Sequence, residues 1–125
     1  MHILLDTHIY LWCLQDDPKL SGLARSRIVG ATEVFVSSAS IWEAAIKVAS
    51  GKLRVDVKRL VKEISNSGFV ELPISAKHAA MVASLPDIHR DPFDRILVAQ
   101  AMCEPLRLIT ADSALQTYSE LVEVV

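Results

Sequence analysis

Short apolar runs alternate along the chain with longer segments of helical periodicity. Each apolar run is rich in Val, Ile and Leu and predicts a buried strand: His2–Leu5, Val34–Ser37, Phe69–Leu72, Arg107–Ile109 and Leu121–Val125. The segments between them predict helices: Thr7–Gln15, Leu20–Val29, Ala39–Ser50, Val55–Ser67, Ala76–Leu85, Pro92–Glu104 and a brief one after Ser113. Because strand and helix alternate, residues 1–125 are expected to form one α/β domain, with a central, mostly parallel five-stranded sheet and helices on both faces.

Residues at the helix ends support these boundaries. Gly51 follows a predicted helix and is expected to take the left-handed conformation of a C-terminal cap. Ser75 is placed to cap the helix that follows it, and Asp91 is a capping acid before Pro92 at the first helical position.

The composition excludes several classes of protein. With 51% hydrophobic residues and a net charge of −2, the chain is neither disordered nor strongly basic. Its uncharged runs, such as Val34–Trp42 and Ile96–Cys103, fall short of the roughly 20 residues that a membrane span needs. Asp6 interrupts the apolar N-terminus before a signal peptide could form, so a cytoplasmic protein is expected. A mean hydropathy of +0.32 suggests that a second copy or a partner covers some apolar surface.

Acidic residues are expected to gather at one edge of the predicted sheet. Asp6 directly follows the first strand, Asp112 follows the fourth, and Glu43 lies in the helix after the second. Asp94 lies near the start of the most apolar helix. Ligands of open α/β sheets bind outside the carboxyl ends of the strands, where these acids would meet. A set of oxygen ligands favours Mg²⁺ or Mn²⁺, and no Cys or His spacing supports zinc.

Each of these acids also has an ordinary structural role available to it. Asp6, Asp112 and Asp91 can cap the helices that follow them, and Asp94 is favoured in a first turn by the helix dipole. Several carboxylates at one edge would nevertheless raise one another's pKa and destabilise the fold unless a cation lies among them.

Glu43 has two such structural roles. The segment from Ser40 to Glu43 fits a Ser-x-x-Glu capping box, and Glu43 with Lys47 forms a favourable i,i+4 pair. Ser40, Glu43, Lys47 and Ser50 form a polar stripe that suits a solvated helix face as well as a catalytic cleft. The opposite arc is apolar and contains Ile41, Trp42, Ala45, Ile46 and Val48.

Four motifs together resemble a known family. They are Leu4-Leu-Asp-Thr-His-Ile-Tyr-Leu-Trp12, Ser37-Ser-Ala-Ser-Ile-Trp-Glu-Ala-Ala-Ile-Lys47, His89-Arg-Asp-Pro-Phe-Asp-Arg-Ile-Leu-Val-Ala-Gln-Ala101 and Leu108-Ile-Thr-Ala-Asp112. Their order over the whole chain resembles the PIN-domain ribonucleases, and among them the VapC-like toxins of type II toxin–antitoxin pairs. The resemblance implies a PIN fold, a Mg²⁺ or Mn²⁺ centre, an RNA substrate and neutralisation by a small antitoxin protein.

The resemblance also implies a set of site residues. Asp6 would be a direct metal ligand and Asp94 the third family acid, with Glu43 and Asp112 completing the catalytic quartet. Asp91 is kept as a possible additional acid.

Hydroxyl and basic side chains flank these acids. Thr7, Ser38 and Thr110 are expected to orient them by hydrogen bonds, as metal sites require. Basic side chains are expected on the rim, where they would contact RNA phosphates; they are Lys47, Lys52, Arg90 and Arg95.

The sequence thus favours a metal-dependent endoribonuclease that acts as a toxin, forms a homodimer or larger assembly and pairs with an antitoxin. One alternative is a PIN-like module that binds RNA or protein without cutting. A second is a receiver-type signalling domain, which is disfavoured because Asp6 stands alone after the first strand and no Lys follows the last one.

Overall fold

The computed structural model describes residues 1–88 and 90–125, so His89 of the third motif lies outside the described residues. The strands are β1 (His2–Leu5), β2 (Glu33–Ser37), β3 (Val70–Leu72), β4 (Arg107–Thr110) and β5 (Val122–Val124). The α-helices are α1 (Thr7–Gln15), α2 (Gly22–Gly30), α3 (Ser38–Ala49), α4 (Val57–Asn66), α5 (Ala76–Met81) and α6 (Pro92–Cys103). Among these described helices, none has the length and apolar character that crossing a membrane would require.

The five strands form one sheet in the order β3-β2-β1-β4-β5, and every neighbouring pair is parallel. Leu4 on the central strand lies opposite Phe35 of β2 and Leu108 of β4. The predicted α/β fold is therefore confirmed. Receiver-type domains have the strand order 2-1-3-4-5, so the observed order excludes that alternative.

The sheet separates two apolar cores, because successive side chains of a strand point to opposite faces. Ile3 and Leu5 of β1 pack with Leu60 and Ile64 of α4 on one face. Leu4 packs on the other face, in the cluster that contains the apolar side of α6. Burial on both faces explains why the central strands are continuous apolar runs rather than alternating ones.

One predicted helix is shorter than expected, and another is a 3₁₀ helix. The segment predicted as one helix over Ala76–Leu85 is α5 followed by a 3₁₀ turn, Val82–Ser84, after which Leu85 is extended. Pro86 accounts for this difference, since a proline disfavours the helical conformation of the residue before it. The brief helix after Ser113 is a 3₁₀ helix, Ser113–Tyr118.

The predicted caps at three helix ends are confirmed. Ser75 accepts a hydrogen bond from the backbone of His78, and Asp91 accepts one from the backbone of Phe93 at 2.9 Å. Gly51 has a φ of +76°, the left-handed conformation expected after α3.

Candidate active site

The three central strands end at the same edge of the sheet, and a polar residue stands at each end. Asp6 follows β1, Thr110 is the last residue of β4, and Ser37 is the last residue of β2. Because the strands are parallel, these residues lie side by side at the carboxyl edge, where ligands of such sheets bind. This edge is the candidate active site.

Asp6 is a buried carboxylate held from both oxygens. Its residue is 5% exposed. Oδ1 accepts a hydrogen bond from the backbone of Ile9 at 2.9 Å, and Oδ2 accepts one from the Thr110 hydroxyl at 2.5 Å. Burial raises the pKa of the Asp6 carboxyl above its usual value, and the nearby charge of Glu43 adds to this; both hydrogen bonds and His8 oppose it. The carboxyl is therefore fixed in place and favours a neighbouring cation.

Thr110 connects Asp6 to Asp112. Its hydroxyl donates to Asp6 and accepts a hydrogen bond from the backbone of Asp112 at 3.0 Å. The Asp112 carboxylate accepts a hydrogen bond from the backbone of Ala114, so it caps the following 3₁₀ helix and is exposed. Asp6 and Asp112 line an open cavity of about 300 Å³ together with His8, Trp12 and Ala111. This cavity gives solvent and ligands access to the buried Asp6.

Glu43 lies on the buried side of α3. It is 4% exposed, and its Oε2 accepts a hydrogen bond from Nζ of Lys47 at 2.7 Å, as the i,i+4 spacing predicted. The expected capping box is wrong, because Ser37 caps α3 and Ser40 lies inside the helix, 1% exposed. The Ser40 hydroxyl instead accepts a hydrogen bond from the Thr7 hydroxyl at 2.9 Å. The polar stripe of α3 therefore turns toward the site at Ser40 and Glu43 and does not form a solvated face there.

The start of α6 brings the third motif to the same edge. After α6 the chain enters β4 within four residues, so the helix runs antiparallel to that strand and begins at its carboxyl end. The rings of Phe93 in α6 and Trp42 in α3 lie 5.0 Å apart, which ties the two helices together. Asp91 caps α6, and Asp94 lies half-buried in its first turn.

The sequence and the fold both match proteins that are already described. The family model for the PIN domain matches residues 3–121. The chain belongs to the PIN domain family. It is 26% identical to "Ribonuclease VapC22" of Mycobacterium tuberculosis over 122 residues, which covers 93% of this chain and 91% of that protein.

Solved structures share the fold of this PIN domain at low sequence identity. The crystal structure of VapBC2 from Rickettsia felis bound to a promoter DNA fragment matches with a TM-score of 0.74 and 17% identity, covering 100% of this chain and 99% of the other. A toxin–antitoxin complex from Klebsiella pneumoniae matches at 0.68 and 18%, covering 98% and 96%. FitAcB from Neisseria gonorrhoeae matches at 0.68 and 19%, covering 100% and 97%.

The donor chemistry of the PIN site fits a hard divalent cation, since the predicted ligands are all carboxylates and the buried Asp6 lies near the charge of Glu43. Across residues 1–88 and 90–125, however, no three Asp, Glu, His or Cys side chains form a group that could hold a metal ion. Glu43 is paired with Lys47, and the Asp112 and Asp91 carboxylates accept hydrogen bonds from backbone amides.

The three hydroxyls predicted to orient the acids have different partners. Thr110 donates to Asp6. Thr7 donates to Ser40, and Ser38 accepts a hydrogen bond from the backbone of Ile74, so within the described structure these two hydroxyls connect helices and loops. In the described structure, therefore, Thr110 forms a hydrogen bond with one of the predicted acids, and Thr7 and Ser38 bond to other groups.

The four basic residues predicted on the rim differ in their contacts and in their exposure to solvent. Lys47 pairs with Glu43. Arg95 donates hydrogen bonds to the backbone oxygens of Pro86 and Val82 and to the Tyr118 hydroxyl, which anchors the start of α6. Lys52 and Arg90 are exposed. Arg90 precedes α6 at the carboxyl edge, whereas Lys52 follows α3, which runs from that edge toward the opposite end of the sheet.

Trp12 and Ser40 were not singled out from the sequence as site residues. Trp12 lines the cavity over Asp6, and its ring lies 5.9 Å from that of His8. The i,i+4 spacing of His8 and Trp12 on a helix that starts after Asp6 is the sequence signal for this arrangement.

Proposed function

We propose that this PIN domain is a metal-dependent endoribonuclease that hydrolyses RNA phosphodiester bonds. The observation that carries the proposal is the buried Asp6 carboxyl, locked by Thr110 and Ile9 beside the charge of Glu43. A buried pair of acids is destabilising in isolation, and a divalent cation would relieve that repulsion. The ion is Mg²⁺ or Mn²⁺, in keeping with oxygen ligands.

In this proposal the side chains have three roles: they hold the cation, orient its ligands and bind the RNA. Asp6 and Glu43 would hold the cation, and Asp94 and Asp112 would complete its set of carboxylate ligands. When bound, such an ion lowers the pKa of a water molecule and stabilises the leaving oxygen. Thr110 keeps Asp6 in one orientation, and Asp91 caps the helix that carries Asp94. Exposed Arg90, just before α6, attracts the RNA backbone.

We further infer that the protein is a cytoplasmic toxin of a type II toxin–antitoxin pair. Support comes from its similarity to a protein named ribonuclease VapC22 and from a fold shared with structures described as VapBC2 and as a toxin–antitoxin complex. The partners would be a cognate antitoxin and a second copy of the chain. Leu23 and Val29 of α2 are exposed apolar residues on which such a partner could pack, whereas Ile9, Tyr10 and Leu11 of α1 are buried in the domain's own core.

The direct test is incubation of purified protein with a cellular RNA pool in Mg²⁺, Mn²⁺ or EDTA. The expected result is a set of discrete products that require the metal and disappear in Asp6→Asn and Asp94→Asn. Asp16→Asn is the matched control, because Asp16 is exposed in a left-handed conformation that Asn also adopts. RNA that is bound but never cut, with every variant folded, would favour the non-cleaving alternative.

A second test addresses the toxin assignment. Induced expression of the wild-type chain in a bacterial host should arrest growth, and Asp6→Asn at the same protein level should not. Normal growth with active wild-type enzyme present would contradict the toxin assignment while leaving the nuclease assignment intact.

A further inference from the structure

Next to the candidate site, α3 exposes two large apolar side chains and buries two polar ones. Trp42 is 58% exposed and Ile46 is 46% exposed, whereas the neighbouring Ser40 and Glu43 are buried. A soluble helix normally has the opposite arrangement. An exposed tryptophan next to a buried acid of the candidate site therefore indicates a binding surface.

The Trp42 indole is held in position. The ring of Phe93 packs against it at an interplanar angle of 76°, an edge-to-face arrangement that leaves more than half of Trp42 open. Trp42 is also one wall of a cavity of about 410 Å³, with Ile74, Val82 and Ile96 among its apolar lining. The cavity is large enough for a flat aromatic ring.

The rim of this cavity is positively charged. Arg90 and Arg95 both line it. Arg90 is exposed and forms no ion pair with any other described residue, while the Arg95 guanidinium is fixed to Pro86 and Val82. An apolar wall with an exposed guanidinium at its edge matches a ligand that has both an aromatic face and a negative charge.

We propose that Trp42 stacks on an unpaired nucleobase of the RNA while Arg90 contacts a flanking phosphate. The proposal rests on the proposed nuclease function and adds a location for the substrate. Trp42 lies in α3 and Phe93 in α6, the two helices that carry Glu43 and Asp94, and the contact between the two rings joins these helices at the cavity. Stacking on aromatic side chains is a general way to hold single-stranded RNA.

The charge of the site favours a stacked base over binding by phosphate contacts. The chain has a net charge of −2, and the phosphate contact at this cavity comes from Arg90, because the Arg95 guanidinium is already held by Pro86 and Val82, so electrostatic affinity for RNA is small. A stacked base contributes affinity that does not depend on charge. A protein segment that packed on α3 would instead need the whole exposed face, including Ile46.

The test measures binding of a fluorescent ten-nucleotide oligoadenylate by anisotropy in EDTA, so that no cleavage occurs. Trp42→Ala should weaken binding about 5- to 100-fold, with an unchanged salt slope. Trp42→Phe should recover a large part of the loss. Arg90→Ala should lower the salt slope by about one phosphate contact.

Two controls separate base stacking from protein docking and from contacts to the RNA backbone. Ile46→Ala, on the same exposed face, should bind the oligonucleotide like wild type. An abasic strand of the same length should bind wild type and Trp42→Ala equally, because it offers no base to stack. Comparable losses in Trp42→Ala and Ile46→Ala would instead indicate a surface for a protein segment and would overturn the proposal.

The outcome is separable from that of the cleavage assay. If the wild type cuts RNA but Trp42→Ala binds oligoadenylate as tightly as wild type, the stacking site is refuted and the nuclease assignment stands. A wild type that fails to bind the oligonucleotide also refutes the stacking site, whatever its cleavage activity.

Discussion

Asp6 and Asp112 have the same local role but very different surroundings. Each follows a strand at the carboxyl edge, accepts a backbone hydrogen bond from the helix after it, and is connected to Thr110. Asp6 follows the central strand and is buried, whereas Asp112 lies on an exposed turn. Burial raises the pKa of Asp6 and makes its charge costly without a cation. The comparison shows that depth in the sheet, not the capping role, distinguishes the surroundings of the two carboxylates.

The largest expected effect separates these two acids directly. Asp6→Asn should lower RNA cleavage on the order of 1,000-fold, because it removes several kcal/mol of transition-state stabilisation supplied through the ion. Asp112→Asn should lower it about 10-fold. Single-turnover cleavage rates for both variants check this, and equal losses would show that burial does not rank the two acids.

Removing the hydroxyl between the two acids should have the next largest effect. Thr110→Val keeps the shape of the side chain but removes the donor to Asp6 and the acceptor for the Asp112 amide. Cleavage should fall about 10- to 100-fold, and the free energy of unfolding should fall by about 1–3 kcal/mol. Thr110→Ser retains the hydroxyl and should restore most of both. A Ser variant as poor as Val would show that the methyl group's packing matters instead.

Lys47 is expected to compete with the metal for Glu43. Lys47→Met leaves the buried Glu43 charge without its ammonium partner and should destabilise the metal-free protein by about 1–2 kcal/mol, allowing for the half-exposed lysine. Added Mn²⁺ should then raise the melting temperature more in Lys47→Met than in wild type. Calorimetric melting with and without Mn²⁺ measures this. An identical Mn²⁺ shift in both proteins would remove Glu43 from the cation site.

The stability of the metal-free protein should depend on pH through Asp6. Its carboxyl pKa is raised in the folded state, so in the range above 3.8 the folded chain binds more protons than the unfolded chain. Asp6 therefore contributes a stability that decreases as pH rises through its folded pKa. Because Asn is neutral like the protonated carboxyl, the difference in free energy of unfolding between wild type and Asp6→Asn should be largest above the folded pKa of Asp6 and should shrink toward low pH. Urea titrations in EDTA across this range test it, and a pH-independent difference would contradict the assignment.

The smallest effect is expected at Asp91, which caps α6. Asp91→Asn keeps a capping oxygen and should leave unfolding and cleavage within about 0.5 kcal/mol and 3-fold of wild type, while Asp91→Ala should cost about 1 kcal/mol of stability. A large loss of cleavage in Asp91→Asn, with normal stability, would make Asp91 a ligand in addition to a cap.

The sequence by itself determined the order of elements, the parallel sheet and the caps at Ser75, Asp91 and Gly51. The short, continuous apolar runs have the length of strands and no polar face, which indicates strands buried on both sides. An acid directly before a proline, such as Asp91, is typical of a helix N-cap. Those signals are local, because they depend on backbone hydrogen bonds and on the spacing of apolar residues within one segment. The same local information placed Asp6 and Thr110 at the carboxyl edge.

Only the tertiary structure decided which face of α3 is buried. Ser40 and Glu43 fitted a capping box and a solvated stripe equally well in sequence, but α3 packs with its polar stripe toward the site and leaves Trp42 exposed. Helical periodicity identifies two faces and cannot say which neighbour covers each. That choice depends on contacts such as the one from Thr7 to Ser40, which are 33 residues apart in the chain.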